Sequence, residues 1–193
     1  MRRGFKTEAK KLALEVRTEL GLGASVRFDP YALADEYGIP VYSVSDLAQQ
    51  EDAQQAGAHY ALNRPSTFSA ALVPLGNGRF ILDNDNHAPV RRRNSISHEM
   101  SHVLLEHAFA SILLTCDGCR SVDKDKEEEA DWLAGELLIP YAAAERAARL
   151  NLTDEQVAQM FDVSTQLAAM RMNYSGARII VARKRSYASR ARA

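Results

Sequence analysis

The chain has 193 residues, 46% hydrophobic and 25% charged, which excludes a fully disordered, collagen-like or coiled-coil protein. A formal net charge of −1 excludes a strong overall field favouring nucleic acid or a membrane surface. No apolar run approaches the roughly 18 residues needed to span a bilayer, and the N-terminal residues lack the apolar stretch of a signal peptide. We therefore expect a cytoplasmic protein that does not engage membranes.

Two helices are predicted near the N-terminus. Every fourth residue from Leu12 to Leu20 is apolar, which predicts an amphipathic helix over residues 6–20. Further along, Asp29 is a favourable N-cap residue and Pro30 suits the first helical position, so a second helix is expected to begin there.

Three short strands are predicted to follow, over residues 39–42, 68–73 and 79–83. The dipeptide Asn77-Gly78 lies between the last two and is a strong signal for a β-hairpin. These strands are expected to form a small antiparallel sheet.

The second half of the chain is predicted to be mainly helical. Its elements are a helix over 89–108, a loop over 109–126, a helix over 127–139, two or three short helices within 141–173 and a strand over 177–182. Pro140 ends the helix that precedes it. The basic residues from Arg183 onward are expected to form a solvated, frayed terminus.

Residues 98–102 read His-Glu-Met-Ser-His, the H-E-x-x-H pattern, inside a predicted helix. Positions i and i+4 share one helix face and lie about 6 Å apart, so His98 and His102 can bind one zinc ion. Glu99 is rotated by about 100° around the axis and can instead reach a zinc-bound water and take its proton. Apolar neighbours make a buried cluster of this kind costly without a metal.

Catalytic zinc usually has three protein ligands, so another element must supply the third. Helical phase places Glu127 about 60° from the centre of the apolar face of its helix, Glu129 about 100° away and Glu128 nearly opposite. Glu127 is therefore the predicted ligand, and a helix N-terminus that favours negative charge accounts for the other two. Asp131 shares the face of Glu127 and could accept a hydrogen bond from the second nitrogen of a ligating histidine.

Two blocks, HEMSHVLLEH and EEEADWLAGELLIP, carry these residues, with FDPYALADEYGIPVY before them and DEQVAQMFDVSTQLAAMRMNYSG after them. Over roughly residues 8–182 the chain resembles the ImmA/IrrE family of zinc metallopeptidases. The resemblance implies that His98, His102 and Glu127 bind one Zn²⁺ per chain and that Glu99 is the catalytic base. It places Asp131 beside a ligating histidine. Manganese also suits these ligands.

The resemblance further implies an α+β fold. We expect a zincin-like metallopeptidase domain over 1–140, with a small antiparallel sheet and the H-E-x-x-H helix. A helical, helix-turn-helix-like subdomain would follow over 141–193, with a C-terminal strand and a basic tail.

Family members typically act on a transcriptional repressor, so the expected function is a zinc endopeptidase that cleaves a helix-turn-helix repressor in trans. One alternative is a metal-containing anti-repressor that binds the repressor without cutting it. Another is a DNA-binding regulator acting through residues 153–173. Direct nucleic-acid binding is disfavoured because Arg171 is the only basic residue of the candidate recognition helix.

Three further features remain open. Cys116 and Cys119 lie between the two metal motifs and are either ordinary loop thiols or a redox or metal sensor. His87 and Tyr174 are candidates for stabilising an oxyanion. Strand 68–73 is expected to be an exposed edge near the zinc that a substrate peptide extends, with Pro74 ending it.

Overall fold

The computed structural model of this protein describes residues 1–49, 69–76, 78–107 and 123–190, which form helices around one small sheet. The described helices are α1 (Phe5–Glu19), α2 (Pro30–Glu36), α3 (Val44–Leu47), α4 (Pro89–Leu104), α5 (Lys124–Leu138), α6 (Tyr141–Arg149), α7 (Asp154–Phe161), α8 (Thr165–Tyr174) and α9 (Ala177–Arg190). The strands are β1 (Val41–Ser43), β2 (Ala70–Leu75) and β3 (Gly78–Asp83). The predicted α+β class is confirmed.

The three strands are ordered β1-β3-β2, so β2 lies at an edge of the described sheet. The hairpin predicted between β2 and β3 is confirmed by the antiparallel pairing of Leu75 with Gly78, and Gly76 supplies the positive φ of +57° in its turn. Asn77 lies outside the described residues. The prediction that Pro74 ends this strand is wrong, because β2 continues to Leu75.

The sheet is mixed, whereas an antiparallel sheet was expected. β1 runs parallel to β3, with Val41 opposite Ile81. Parallel neighbours require a long crossover connection, and the chain between these two strands is long enough to provide one. Hairpin signals in a sequence detect only neighbouring strands, so this pairing was not visible in the sequence.

Residues 177–182 are helical, so the predicted C-terminal strand is wrong. Ala177 and Val181, at positions i and i+4, are buried, while Ile179 is 59% exposed. This is the burial pattern of an amphipathic helix, and α9 packs its buried face against α6 and α8. The β-branched run around Ile179 favours a strand locally, but tertiary packing overrides that preference.

Two buried arginines hold the C-terminal end of α5. Arg17 of α1 donates to the carbonyl oxygen of Leu137 at 2.6 Å. Arg171 of α8 donates to the carbonyl oxygen of Ile139 and pairs with the Glu136 carboxylate at 2.7 Å. The last carbonyls of a helix lack partners within the helix, so these guanidinium groups satisfy them. The result is that α5 is fixed between α1 and α8.

One hydrophobic core joins the two predicted parts of the chain. It includes Phe5 and Val16 of α1, Met100 of α4, and Phe161 and Val181 from beyond residue 140. The division at residue 140 stays a prediction. None of the described helices has both the length and the apolar character needed to cross a membrane.

Candidate metal centre

Helices α4 and α5 pack together and bring three predicted ligands to one point. The Nε2 atoms of His98 and His102 lie 3.1 Å apart on the face of α4 that meets α5. Glu127 of α5 places Oε2 at 3.2 Å from Nε2 of His98 and Oε1 at 3.5 Å from Nε2 of His102. Among the described residues, these three side chains are the group able to hold a metal ion.

The spacing of these donor atoms fits zinc. In a tetrahedral site with ligand bonds of about 2.0–2.1 Å, neighbouring donors are separated by about 3.3–3.4 Å. The two Nε2 atoms are 3.1 Å apart, and the Glu127 carboxylate lies 3.2 Å from His98 through Oε2 and 3.5 Å from His102 through Oε1, so each pair of residues places donor atoms near that separation. Two imidazoles and one carboxylate also form a donor set found in catalytic zinc sites. The side chains are only partly buried, so one side of the cluster faces solvent.

Asp131 lies behind His98. Its Oδ1 atom is 2.8 Å from Nδ1 of His98, the ring nitrogen that points away from the cluster. Burial lowers the pKa of His98, but the hydrogen bond to Asp131 and the nearby charges of Glu99, Asp131 and Glu127 outweigh it and raise the pKa overall. Asp131 thus keeps the outward nitrogen of His98 protonated and Nε2 directed to the cluster.

Glu99 follows His98 on α4 and is only 5% exposed. Its Oε2 atom accepts a hydrogen bond from the main-chain N–H of Leu72 at 3.1 Å. Since Leu72 lies in β2, this bond fixes the edge of the sheet against α4, beside the two histidines. The carboxylate is therefore held by a strand and carried by the same helix as two candidate ligands.

The explanation of Glu129 by a helix N-terminus that favours negative charge is incomplete, because other segments bury this side chain. Its side chain is 8% exposed and lies 3.7 Å from Nε2 of His107. It also accepts a hydrogen bond from the main-chain N–H of Arg2 at 2.9 Å. Helical phase measured only the apolar face of α5 itself and could not show that other segments cover the adjacent side. Glu128, in contrast, is 65% exposed, as predicted.

His107 is the residue of this region that the sequence reasoning missed. Its Nδ1 atom is 3.0 Å from Nδ1 of His102. Desolvation by burial, larger than the opposing effect of Glu129, lowers its pKa and favours the neutral ring. The only available signal was a third histidine shortly after the H-E-x-x-H motif.

The structure describes the two candidates for oxyanion stabilisation, Tyr174 and His87, but does not describe the two cysteines. Tyr174 is 61% exposed at the end of α8 and stacks on Trp132, with ring centroids 5.6 Å apart. His87 lies in the turn before α4, where its main-chain N–H donates to the carbonyl of Asn84. Oxyanion stabilisation by either residue stays a prediction. Cys116 and Cys119 lie outside the described residues, so their role as loop thiols or as a redox or metal sensor stays a prediction.

The comparisons with known proteins add one match. The family model described as the IrrE N-terminal-like domain, a peptidase family, matches residues 34–173. This span includes α4 and α5 and therefore the whole His98, His102 and Glu127 cluster. No curated protein and no solved structure shows significant similarity to the chain.

Proposed function

Because this chain belongs to the IrrE N-terminal-like peptidase family, we propose that it is a zinc-dependent endopeptidase that cleaves a helix-turn-helix transcriptional repressor in trans. The observation that carries the metal part of the proposal is the convergence of two imidazoles and one carboxylate, a donor set found in catalytic zinc sites, with one ligand atom from each residue within 4.8 Å of the others. Cleavage of the repressor would relieve repression of its target genes.

Each residue has a distinct role in this proposal. His98, His102 and Glu127 hold the zinc, which when bound supplies a Lewis acid and lowers the pKa of coordinated water toward about 7. Glu99 accepts the proton of the attacking water at its carboxylate and returns it to the leaving amine. The bond from Leu72 fixes the orientation of this carboxylate.

The substrate is proposed to bind along β2. This strand is paired with β3 on one side only in the described sheet. The N–H of Leu72 points away from β3, because it donates to Glu99. Because that donor is already used, a peptide added to this edge would pair with the Leu72 carbonyl oxygen, which points the same way as its N–H, and would run past the catalytic carboxylate and the metal ligands.

The test begins by sequencing the gene beside this one, and a helix-turn-helix protein encoded there is the substrate to assay. Wild-type protein loaded with zinc should convert it to two fragments, detected by mass spectrometry. Glu99→Gln should lower the cleavage rate about a hundred- to ten-thousand-fold, because proton transfer loses its base, while still binding the repressor. The exposed neighbour Glu128→Gln is the matched control and should cleave normally.

Two other outcomes would contradict the proposal. If wild-type protein releases the intact repressor from DNA without cutting it, the protein is a non-cleaving anti-repressor. If it neither cuts nor binds the repressor, the substrate is wrong.

Direct DNA binding through residues 153–173 finds little support. Arg171, the only basic residue of α8, is 1% exposed and paired with Glu136, so it cannot reach a phosphate. The turn residue Asp162 between α7 and α8 is also engaged, since its carboxylate pairs with Arg27 and Arg93. A DNA affinity that falls steeply with salt would contradict this view.

A further inference from the structure

A second buried pair lies behind His102. The ring of His107 is 10% exposed and the side chain of Glu129 is 8% exposed, and they contact each other at 3.7 Å. His107 in turn contacts His102 at 3.0 Å through Nδ1 of both rings. Neither residue lies within the cluster that can hold the metal. His107 therefore lies behind the candidate ligand His102, and the Glu129 carboxylate lies behind His107.

The end of α4 delivers His107 to this position. Glu106 adopts a left-handed conformation with φ of +49° and donates its N–H to the carbonyl of Val103. The next residue, His107, donates its N–H to the carbonyl of His102 at 3.1 Å. These two bonds form a Schellman motif. In this motif the side chains at the positions of His102 and His107 are usually apolar and in contact. Here two histidine rings occupy those positions.

With a metal bound through Nε2 of His102, this contact determines where the protons lie. Nε2 of His102 faces His98 and Glu127, so a neutral His102 that binds metal through Nε2 carries its proton on Nδ1. That proton can be donated only to an unprotonated Nδ1 of His107. His107 then carries its own proton on Nε2, the atom that faces Glu129. Glu129 is held in place by the main-chain N–H of Arg2.

We infer that His107, hydrogen-bonded to His102 and paired with the buried Glu129 carboxylate at 3.7 Å, forms a relay that sets the tautomer and ring orientation of His102, which makes His107 a positioning residue for the metal centre. The inference rests on the proposed zinc-dependent function. His98 is oriented differently, by direct contact with Asp131, whose side chain is 72% exposed. An exposed carboxylate would thus orient His98, and a buried histidine and carboxylate would orient His102.

Zinc affinity, measured by competition with a chromophoric chelator, tests the relay without reference to activity. His107→Leu removes the acceptor and should weaken zinc binding about 10- to 100-fold. His107→Asn places an amide oxygen near the position of Nδ1 and should restore affinity close to that of the wild type. Glu129→Gln should weaken binding less than His107→Leu, and the exposed neighbour Glu128→Gln should leave it unchanged.

Nitrogen NMR of the imidazole rings in zinc-loaded wild-type protein supplies a second readout. We expect His102 to carry its proton on Nδ1 and His107 to carry its proton on Nε2. This measurement needs no variant, so it decides the matter even if His107→Leu fails to fold. The melting temperature of each metal-free variant reports folding separately.

The relay is overturned if His107→Leu binds zinc as tightly as the wild type, or if His107→Asn is as weak as His107→Leu. A proton on Nδ1 of His107 would overturn it as well. Failure of the wild-type protein itself to bind one zinc ion would instead refute the proposed function.

Discussion

At the scale of single residues, the three consecutive glutamates at the start of α5 have three different environments. Glu127 contacts both histidines of the cluster, Glu128 is exposed, and Glu129 is buried against His107. Three consecutive residues of the same type thus have three different environments within one turn of helix. Their angular positions around α5 distinguish Glu127 from Glu128, whereas the burial of Glu129 depends on the segments that pack against α5.

Glu127→Ala should abolish zinc binding, because it removes a direct ligand. The loss should exceed the roughly 10- to 100-fold that follows removal of an outer hydrogen-bonding partner. Metal content by mass spectrometry of the purified variant measures this, with Glu128→Ala as the control. Retention of zinc by Glu127→Ala together with its loss in Glu129→Ala would show that the ligand assignment is wrong.

Glu106→Gly should raise the free energy of unfolding by up to about 1 kcal/mol while leaving zinc affinity unchanged. Glu106 is an exposed residue with a positive φ of +49°, a conformation that glycine adopts without a steric penalty. Greater freedom of glycine in the unfolded chain offsets part of this gain. Urea unfolding measures the change, and a clear destabilisation would mean that the Glu106 side chain has a stabilising role of its own.

At the scale of secondary structure, the contact between α5 and α8 depends on the absence of a side chain. A Cβ atom on Gly135 would lie 2.7 Å from Cδ of Arg171. Arg171 has little freedom to move, because it is buried and bound to Ile139 and Glu136. The small residue in α5 is therefore required by the buried ion pair opposite it.

Gly135→Ala should destabilise the protein by about 1–3 kcal/mol, the usual cost of overpacking, although alanine is the better helix former. Chemical denaturation measures this change. Arg171→Ala alone should cost about 3–5 kcal/mol, because it leaves the Glu136 carboxylate buried and unpaired. In that background the added methyl group should cost nothing further, and an additive double variant would contradict the steric explanation.

The same scale shows which elements the sequence could predict. Helices α1, α2 and α4 followed from apolar spacing and from residues at helix starts, and these signals are local. The helix α9 did not follow, because Ile179 and its apolar neighbours suggest a strand unless their partners in α6 are known. Likewise, the H-E-x-x-H spacing predicted His98 and His102 together, whereas the position of His107 depends on how α4 ends.

At the scale of the whole molecule, the metal centre links parts of the chain that are distant in sequence. His98 and His102 lie on α4, Glu127 lies on α5, and both helices contribute to the common core. Binding of one ion in the native state therefore links α4 to α5 through their ligand side chains.

Zinc should stabilise the protein against urea, since the ligand atoms converge only in the native state. With free zinc at a hundred times its dissociation constant, the gain in the free energy of unfolding is about 2.7 kcal/mol. Urea unfolding with zinc and with a chelator measures the difference. Glu127→Ala should show no such shift, and equal midpoints for the wild type under both conditions would argue against a native metal site.

The two arginine contacts hold α5 at its C-terminal end, far from the metal ligand that this helix carries. Glu127 lies about 15 Å along the axis from Leu137, where Arg17 is bound. These contacts therefore determine, from the far end of the helix, how far along its axis Glu127 is placed.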